Sequence, residues 1–207
     1  MMKSGLLIKI ILTLLLLPAL AWLTKAGVAD FLRLSPCAYI DALNKGTVPL
    51  EPAELDKTRV RLKLARSWDA SNPIIPEYLG QTDFMLAQLV SFSPAMQATF
   101  LHNAIVNLDS AIGLRPYSAY LWAARMTMGS WLLEINTQLG RNDPIDKSEL
   151  TVIKMALRRA ALLDPWNPAV LQQIVKLGTL RYMEFSAEDR SVVDEAVTRA
   201  KQLNIKI

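Results

Sequence analysis

The stretch Ala160-Ala161-Leu162-Leu163-Asp164-Pro165-Trp166-Asn167-Pro168 decides the fold, because it ends one helix and begins another. Its Ala160 and Leu163 are three positions apart and therefore lie on one helical face. Pro165 cannot continue that helix, whereas Asn167 and Pro168 offer the next helix a capping side chain and a first-turn proline. The stretch is predicted to form the corner between two helices.

The pattern around this corner recurs along the chain. Four alanines, each with a large apolar residue three positions before and after it, stand at intervals of 46, 49 and 40 residues: Ala65, Ala111, Ala160 and Ala200. A small residue between two large ones lets a neighbouring helix approach closely. The corner recurs as well, since 68–73 parallels 163–168 and 114–117 is a looser copy. These repeats favour an array of helical pairs.

The fold class predicted from the sequence is all-α. Beyond Pro52 no alternating strand pattern competes with helical spacing. Breakers and capping residues such as Ser93 and Ser186 divide the sequence, with 140–144 as the clearest loop. We expect seven antiparallel helices, at 52–68, 74–90, 94–114, 118–139, 147–163, 167–185 and 187–203.

An apolar leader precedes this helical region. Lys3 and Lys9 come before an uncharged run at 10–23, and the span lengthens to 5–23 if Lys9 reaches to the interface. Because about 20 apolar helical residues cross a bilayer, the leader is long enough for a signal anchor. It also suits a cleaved signal peptide, with Ala19-Leu20-Ala21 as the cleavage pattern. Both alternatives keep the early lysines cytoplasmic and take the remainder across the membrane.

Three segments are expected from these patterns. Residues 1–26 form the signal anchor or signal peptide, 27–51 a membrane-proximal helix and linker, and 52–207 the repeat domain. Within the second segment, Ser35-Pro36 predicts a break before a short helix that ends at Gly46. Cys37 is the only cysteine, which excludes an internal disulfide, and we interpret it as a small buried apolar residue.

Charge and residue content argue against several functional classes. Three lysines of the leader supply most of the formal charge of +4, so the remainder has no overall field for nucleic acid. His102 is the only histidine, and no spaced His/Cys cluster, phosphate-binding glycine loop or nucleophile elbow is present. We therefore expect no catalytic residues, no metal and no cofactor. The acid pair Glu188/Asp189 is more simply a helix cap than half of a glycosidase site.

Two groups of residues are candidates for a partner or ligand surface. Arg59, Lys63 and Arg66 share one helical face, which would suit anionic lipid or an acidic polysaccharide, although an ordinary solvated face is the simpler interpretation. Tyr117 and Tyr120 are the expected exposed members of an aromatic group that also contains Trp122 and Trp131. Aromatic rings of this kind stack on sugars or hold a partner peptide, but core packing is the simpler role for the tryptophans.

The region 52–203 resembles a divergent tetratricopeptide repeat. The residues that match the family's second-helix alanine, terminal proline and first-helix tryptophan are Ala111, Ala160, Pro116, Pro165 and Trp122. The pair Leu79-Gly80 matches the family's Leu-Gly, whereas Ala70 replaces the terminal proline of the first unit and the intervals exceed the usual 34 residues. The resemblance implies antiparallel helical pairs and an extended protein-binding surface.

A narrower resemblance combines the leader, the alanine-rich helical pairs and the motifs at 118–123 and 164–170. Together they look like the VpsP-type accessory proteins of bacterial exopolysaccharide biosynthesis. That resemblance implies a single-pass inner-membrane protein with a periplasmic domain that serves a polysaccharide assembly or export machine. A periplasmic carbohydrate-active enzyme and a scaffold for a pilus or secretion system remain alternatives.

Overall fold

The computed structural model describes residues 4–90, 92–141 and 144–205, and within these ranges all regular structure is helical. The all-α prediction is confirmed for this part of the chain. A short 3₁₀ turn at Tyr182–Glu184 precedes the last helix. The helices are α1 (Ser4–Asn44), α2 (Pro52–Trp68), α3 (Ile74–Leu89), α4 (Pro94–Leu114), α5 (Ala119–Gln138), α6 (Pro144–Leu163), α7 (Pro168–Leu180) and α8 (Ala187–Gln202).

The predicted corner at Asn167 is present. Its side-chain oxygen accepts hydrogen bonds from the backbone N–H groups of Ala169 at 3.0 Å and Val170 at 3.3 Å. At the start of α8, Ser186 and Asp189 form a capping box in which each side chain bonds to the other residue's backbone. These helix starts are therefore set by local side-chain chemistry, as the sequence pattern predicted.

Two predicted boundaries differ from the structure by three residues or more. The helix expected at 167–185 ends at Leu180, because Arg181 leaves helical geometry and its guanidinium turns inward to donate a hydrogen bond to the carbonyl of Ser130 at 2.9 Å. Helix α6 begins at Pro144, three residues earlier than expected. Of the predicted loop at 140–144, positions 142 and 143 lie outside the described residues.

The predicted break at Ser35-Pro36 is wrong, because α1 continues through Pro36 to Asn44. Proline costs a helix one hydrogen bond, but this part of α1 gains burial. Ala29, Cys37 and Ile40 are buried against α2 and α3, and Pro36 is buried beside them. The helix therefore continues through the proline, supported by this packing, and the second expected segment is not a separate helix.

Helix α1 is also the one helix among the described residues that is long and apolar enough to cross a membrane. It has 41 residues, which at a rise of about 1.5 Å per residue is about 60 Å, roughly twice a bilayer's hydrocarbon thickness. Its first half exposes large apolar side chains, including Leu14, Leu20 and Trp22. Its second half, by contrast, belongs to the core of the helical domain.

Each helix packs on its neighbours in sequence, and α1–α3, α5–α7 and α6–α8 also make contact. The four repeat alanines lie at these helix contacts, where each has 0% of its surface exposed: Ala65, Ala111, Ala160 and Ala200. Trp122 packs between two core clusters, and its indole N–H donates to the carbonyl of Pro116 at 2.8 Å. Pro165 is half-buried at its corner.

Candidate partner-binding groove

Side chains of α3, α5 and α7 line a groove, which we call the odd-helix groove. It consists of two cavities of about 490 Å³ and 190 Å³ that share Phe84, Thr127 and Gln173 in their linings. The wider cavity is completed by Gln88, Ser130, Trp131, Glu134, Lys176, Leu177 and Leu180. The narrower cavity is completed by Asn44, Gln81, Met85, Tyr120, Ala124 and Met128.

The wider cavity is mainly apolar and aromatic. Its rings Phe84 and Trp131 meet edge to face, with centroids 5.4 Å apart and planes at 63°. Edge-to-face contacts of this kind are favourable beyond the apolar area that the rings bury. Leu180 lies at one end with 73% of its surface exposed. Glu134 and Lys176, both exposed, are the charged members of the lining.

The uncharged polar side chains in the groove are amides and hydroxyls. The hydroxyl of Thr127 donates to the side-chain oxygen of Gln173 at 3.2 Å, and the amide of Asn44 donates to that of Gln81 at 3.1 Å. Asn44 is the last residue of α1, so the long N-terminal helix reaches one end of the groove. The groove thus combines aromatic rings with a few hydrogen-bonding groups, as ligand-binding clefts do.

Of the two predicted surface tyrosines, the structure brings one to the groove. Tyr120 lines the narrower cavity, where burial, helped by the negative charges of Glu77 and Asp41, raises the pKa of its phenol. Tyr117 is 83% exposed at the corner between α4 and α5 and is not part of the groove lining. Of the pair, Tyr120 therefore belongs to the groove, and Tyr117 is exposed outside it.

The predicted basic face of α2 is largely an inter-helix contact. Arg59 Nε lies 2.6 Å from Asp83 Oδ1, and the Arg59 guanidinium carbon is 5.4 Å from the centroid of the Phe100 ring. Arg66 donates to the side-chain oxygens of Asn107 at 2.8 Å and Ser110 at 3.0 Å.

Lys63 remains exposed beside this network. Burial raises the pKa of Asp83, while the charges of Arg59 and Lys63 and the amide of Asn107 oppose that rise. Arg59 and Arg66 thus bind α3 and α4, and only one of the three predicted cations faces solvent.

Acidic side chains do not assemble into a metal site within residues 4–90, 92–141 and 144–205, where no group of three or more His, Cys, Asp or Glu residues could hold an ion. The pair Glu188/Asp189 instead bonds Arg158, at 3.2 Å and 2.7 Å. Burial opposes the ionisation of Asp189, but hydrogen bonds from Arg158 and Ser186 outweigh it and lower the pKa of that carboxyl. Both carboxylates therefore lie in the first turn of α8, where they bind Arg158.

Several groove residues were not identified from the sequence, notably Phe84, Thr127, Gln173 and Lys176. The sequence pattern that could have identified them is a second row of residues at helical spacing, on a different helical face from the repeat alanines. It runs through 81, 84, 85 and 88 on α3 and through 120, 124, 127 and 131 on α5. Since α5 is apolar around most of its circumference, this stripe does not stand out from the core stripe by composition.

No protein-family model, curated protein or solved structure matches this chain.

Proposed function

We propose that the chain is a membrane-anchored helical-repeat adaptor whose odd-helix groove binds a segment of a partner protein in bacterial exopolysaccharide biosynthesis or export. The observation that carries this proposal is the groove itself: α3, α5 and α7 contribute aromatic, aliphatic and polar side chains to one surface, with Glu134 and Lys176 as its charged members. Stacked helical pairs present extended surfaces of this kind to partners.

The proposal includes an antiparallel, tetratricopeptide-like arrangement of the helices. Contacts between α3 and α4 support it, because their order is reversed: Glu77 contacts Arg115, Asp83 bonds Asn107, and the carbonyl of Ala87 accepts from Gln97. A groove lined by α3, α5 and α7 is the surface that the first helices of successive pairs would share. Stacking of alternate helices, seen in the α5–α7 contact, fits the same arrangement.

The proposed location is the bacterial inner membrane, with a single pass and the helical domain in the periplasm. The apolar first half of α1 and the lysines that precede and interrupt it support this orientation, since basic residues favour the cytoplasmic side. The polysaccharide role follows from the sequence resemblance at 118–123 and 164–170. An acidic polysaccharide or anionic lipid remains a proposed additional ligand.

A carbohydrate-active enzyme is the second candidate, and the geometry favours it less. Such an enzyme would need two carboxyl groups facing one cleft. Burial raises the pKa of Glu77 and of Asp83, but each contacts an arginine, Arg115 and Arg59 respectively, and neither lines the groove. Glu134 is the carboxyl among the residues of the wider cavity.

Site-specific photo-cross-linking in cells tests the groove. A photoactivatable phenylalanine in place of Gln173 should cross-link a polysaccharide polymerase, chain-length regulator or export protein, identified by mass spectrometry. The same probe at Met155, which is 45% exposed on α6 and outside the groove lining, serves as the control. A pilus or secretion component at Gln173 would favour the alternative scaffold, and equal labelling at both positions would count against the groove.

Alkaline extraction of membranes tests the anchor. A retained α1 keeps the full-length chain in the membrane pellet, whereas cleavage after Ala21 releases a shorter domain into the supernatant. The mass of the mature N-terminal peptide distinguishes the two outcomes independently.

A further inference from the structure

Large exposed apolar side chains recur at the corners that follow α2, α4 and α6. Trp68 is 41% exposed, Tyr117 83% and Trp166 52%. Leu162, in the last turn of α6, is 74% exposed beside the third corner. Packing within the domain thus leaves between 41% and 83% of the surface of each of these residues uncovered.

Contacts connect these corners to one another and to α1. At the first corner, Asn72 donates to Asp30 of α1 at 3.4 Å. Just after it, Glu77 bonds Arg115 at the second corner.

The connection extends to the third corner and to α8. Helices α5 and α6 pack on each other, and a Cβ at Gly129 of α5 would lie 3.1 Å from Cγ1 of Ile153 of α6, which fits an arrangement with the start of α5 beside the end of α6. The guanidinium of Arg199 in the last turn of α8 lies 5.5 Å from the Trp166 ring centroid. The corners 69–73, 115–118 and 164–167 therefore occupy one end of the domain, which we call the corner face.

The position of Asp30 on α1 determines how far the corner face lies from the membrane-spanning half of that helix. The apolar first half of α1 ends at Lys25, five residues before Asp30, which corresponds to about 7.5 Å along the helix axis. The polar layer on each side of a bilayer is roughly 5 to 8 Å thick. A membrane spanned by the first half of α1 would thus bring the corner face to the depth of the lipid headgroups.

The side chains on this face suit that depth. Tryptophan and tyrosine prefer the boundary between hydrocarbon and water, because their rings are apolar and their N–H or O–H groups are polar. Exposed cations are present at the same end, including Lys25 and, in the last turn of α8, Lys201. Cations near the surface are attracted to anionic headgroups.

We propose that the corner face is a membrane-binding surface, with Tyr117, Trp166 and Leu162 inserted among the headgroups of an anionic bilayer. The inference rests on the retained anchor of the proposed function. Its consequence is that α1 holds the domain at the membrane in two ways, through its membrane segment and through its contact with the first corner. Leu180, at the end of α7 opposite the corner face, would then place that part of the wider cavity on the side of the domain away from the bilayer.

Spin labels on the full-length chain test this surface. In a Cys37→Ala background, a nitroxide is attached to Tyr117→Cys, and the protein is reconstituted in vesicles of phosphatidylethanolamine and phosphatidylglycerol. Matched controls are Phe92→Cys and Met183→Cys, because both side chains are also 83% exposed but lie at the opposite corners, after α3 and α7. Power saturation then compares access to oxygen with access to a water-soluble nickel chelate.

The label at position 117 should be several-fold less accessible to the nickel chelate than the labels at 92 and 183, and a label at Leu162→Cys should behave like the one at 117. Equal chelate access at all four positions in protein that resists alkaline extraction would overturn the membrane-binding surface alone. Release of the chain from the vesicles by alkali would overturn both this surface and the anchor.

Discussion

Arg59 of α2 and Asp83 of α3 form an ion pair with a separation of 2.6 Å, and the Asp83 side chain is only 1% exposed. The Arg59 N–H is not directed at the oxygen well enough for a hydrogen bond, so the contact is mainly electrostatic. Asp83 also accepts a hydrogen bond from Asn107 of α4 at 3.0 Å. One buried carboxylate thus connects three helices, and its cation comes from the face that the sequence suggested as a ligand surface.

Loss of this cation should destabilise the domain. Arg59→Met leaves the Asp83 charge buried without its partner, and we expect the free energy of unfolding to fall by about 2 to 3 kcal/mol. This loss is smaller than that for a fully buried ion pair, because 22% of the Arg59 side chain is exposed. Arg61→Met is the matched control, since Arg61 is exposed and the change should stay within about 0.5 kcal/mol. Urea unfolding of the detergent-solubilised chain, followed by circular dichroism, measures both. Equal losses would contradict the assigned role of Arg59.

The contact between α7 and α8 depends on Gly178. A Cβ at this position would lie 2.5 Å from one Val193 methyl carbon and 3.1 Å from Val193 Cβ, so the helices would have to move apart. We expect Gly178→Ala to cost about 1 to 3 kcal/mol. Gly113→Ala, in α4 with no neighbour within 4 Å, should instead stabilise by up to about 1 kcal/mol through helix propensity.

Thermal unfolding of both glycine variants provides the comparison. A Gly178→Ala/Val193→Ala double variant should recover most of the lost stability, because it removes the clashing methyl groups. A melting temperature for Gly178→Ala at or above that of the unmodified chain would show that α7 and α8 are not packed this closely.

The pH dependence of stability should reflect Glu77. Burial raises the pKa of this carboxyl although Arg115 opposes the rise, so the folded state binds its proton more tightly than the unfolded state does. The resulting stabilisation is present below the unfolded value of about 4.3 and is lost as the pH rises through the raised folded value. The stability of the unmodified chain relative to Glu77→Gln should therefore fall as the pH increases from 4 towards neutrality. A relative stability that increases over this range would mean that Arg115 dominates.

Occupancy of the groove should depend on its apolar end. Leu180→Asp places a charge in the apolar lining of the wider cavity, and it should weaken cross-linking from position 173 by about tenfold, or about 1.4 kcal/mol. Because Leu180 is 73% exposed, the melting temperature should stay near that of the unmodified chain. Val60→Asp, at a site 67% exposed on α2, is the control. Unchanged cross-linking in Leu180→Asp would place the partner elsewhere.

The sequence was most informative where local chemistry decides the structure. Asn167 and Ser186 form helix caps because their side chains reach the nearest free N–H groups, and this depends on residues within one turn. Apolar residues at intervals of three and four likewise identified the helices and the small residues at their contacts, including Ala160. An apolar leader of spanning length was visible from composition alone.

Only the tertiary structure decided what depends on contacts between distant residues. Pro36 predicts a break, yet the helix continues because burial against α2 and α3 outweighs one lost hydrogen bond. Arg59 appears in the sequence as one of several surface cations, but its partner Asp83 lies 24 positions away on another helix. The groove likewise arises from the alignment of α3, α5 and α7. A sequence records which residues share a helical face, whereas the neighbour that covers a face, or leaves it open, is determined by the packing of the whole chain.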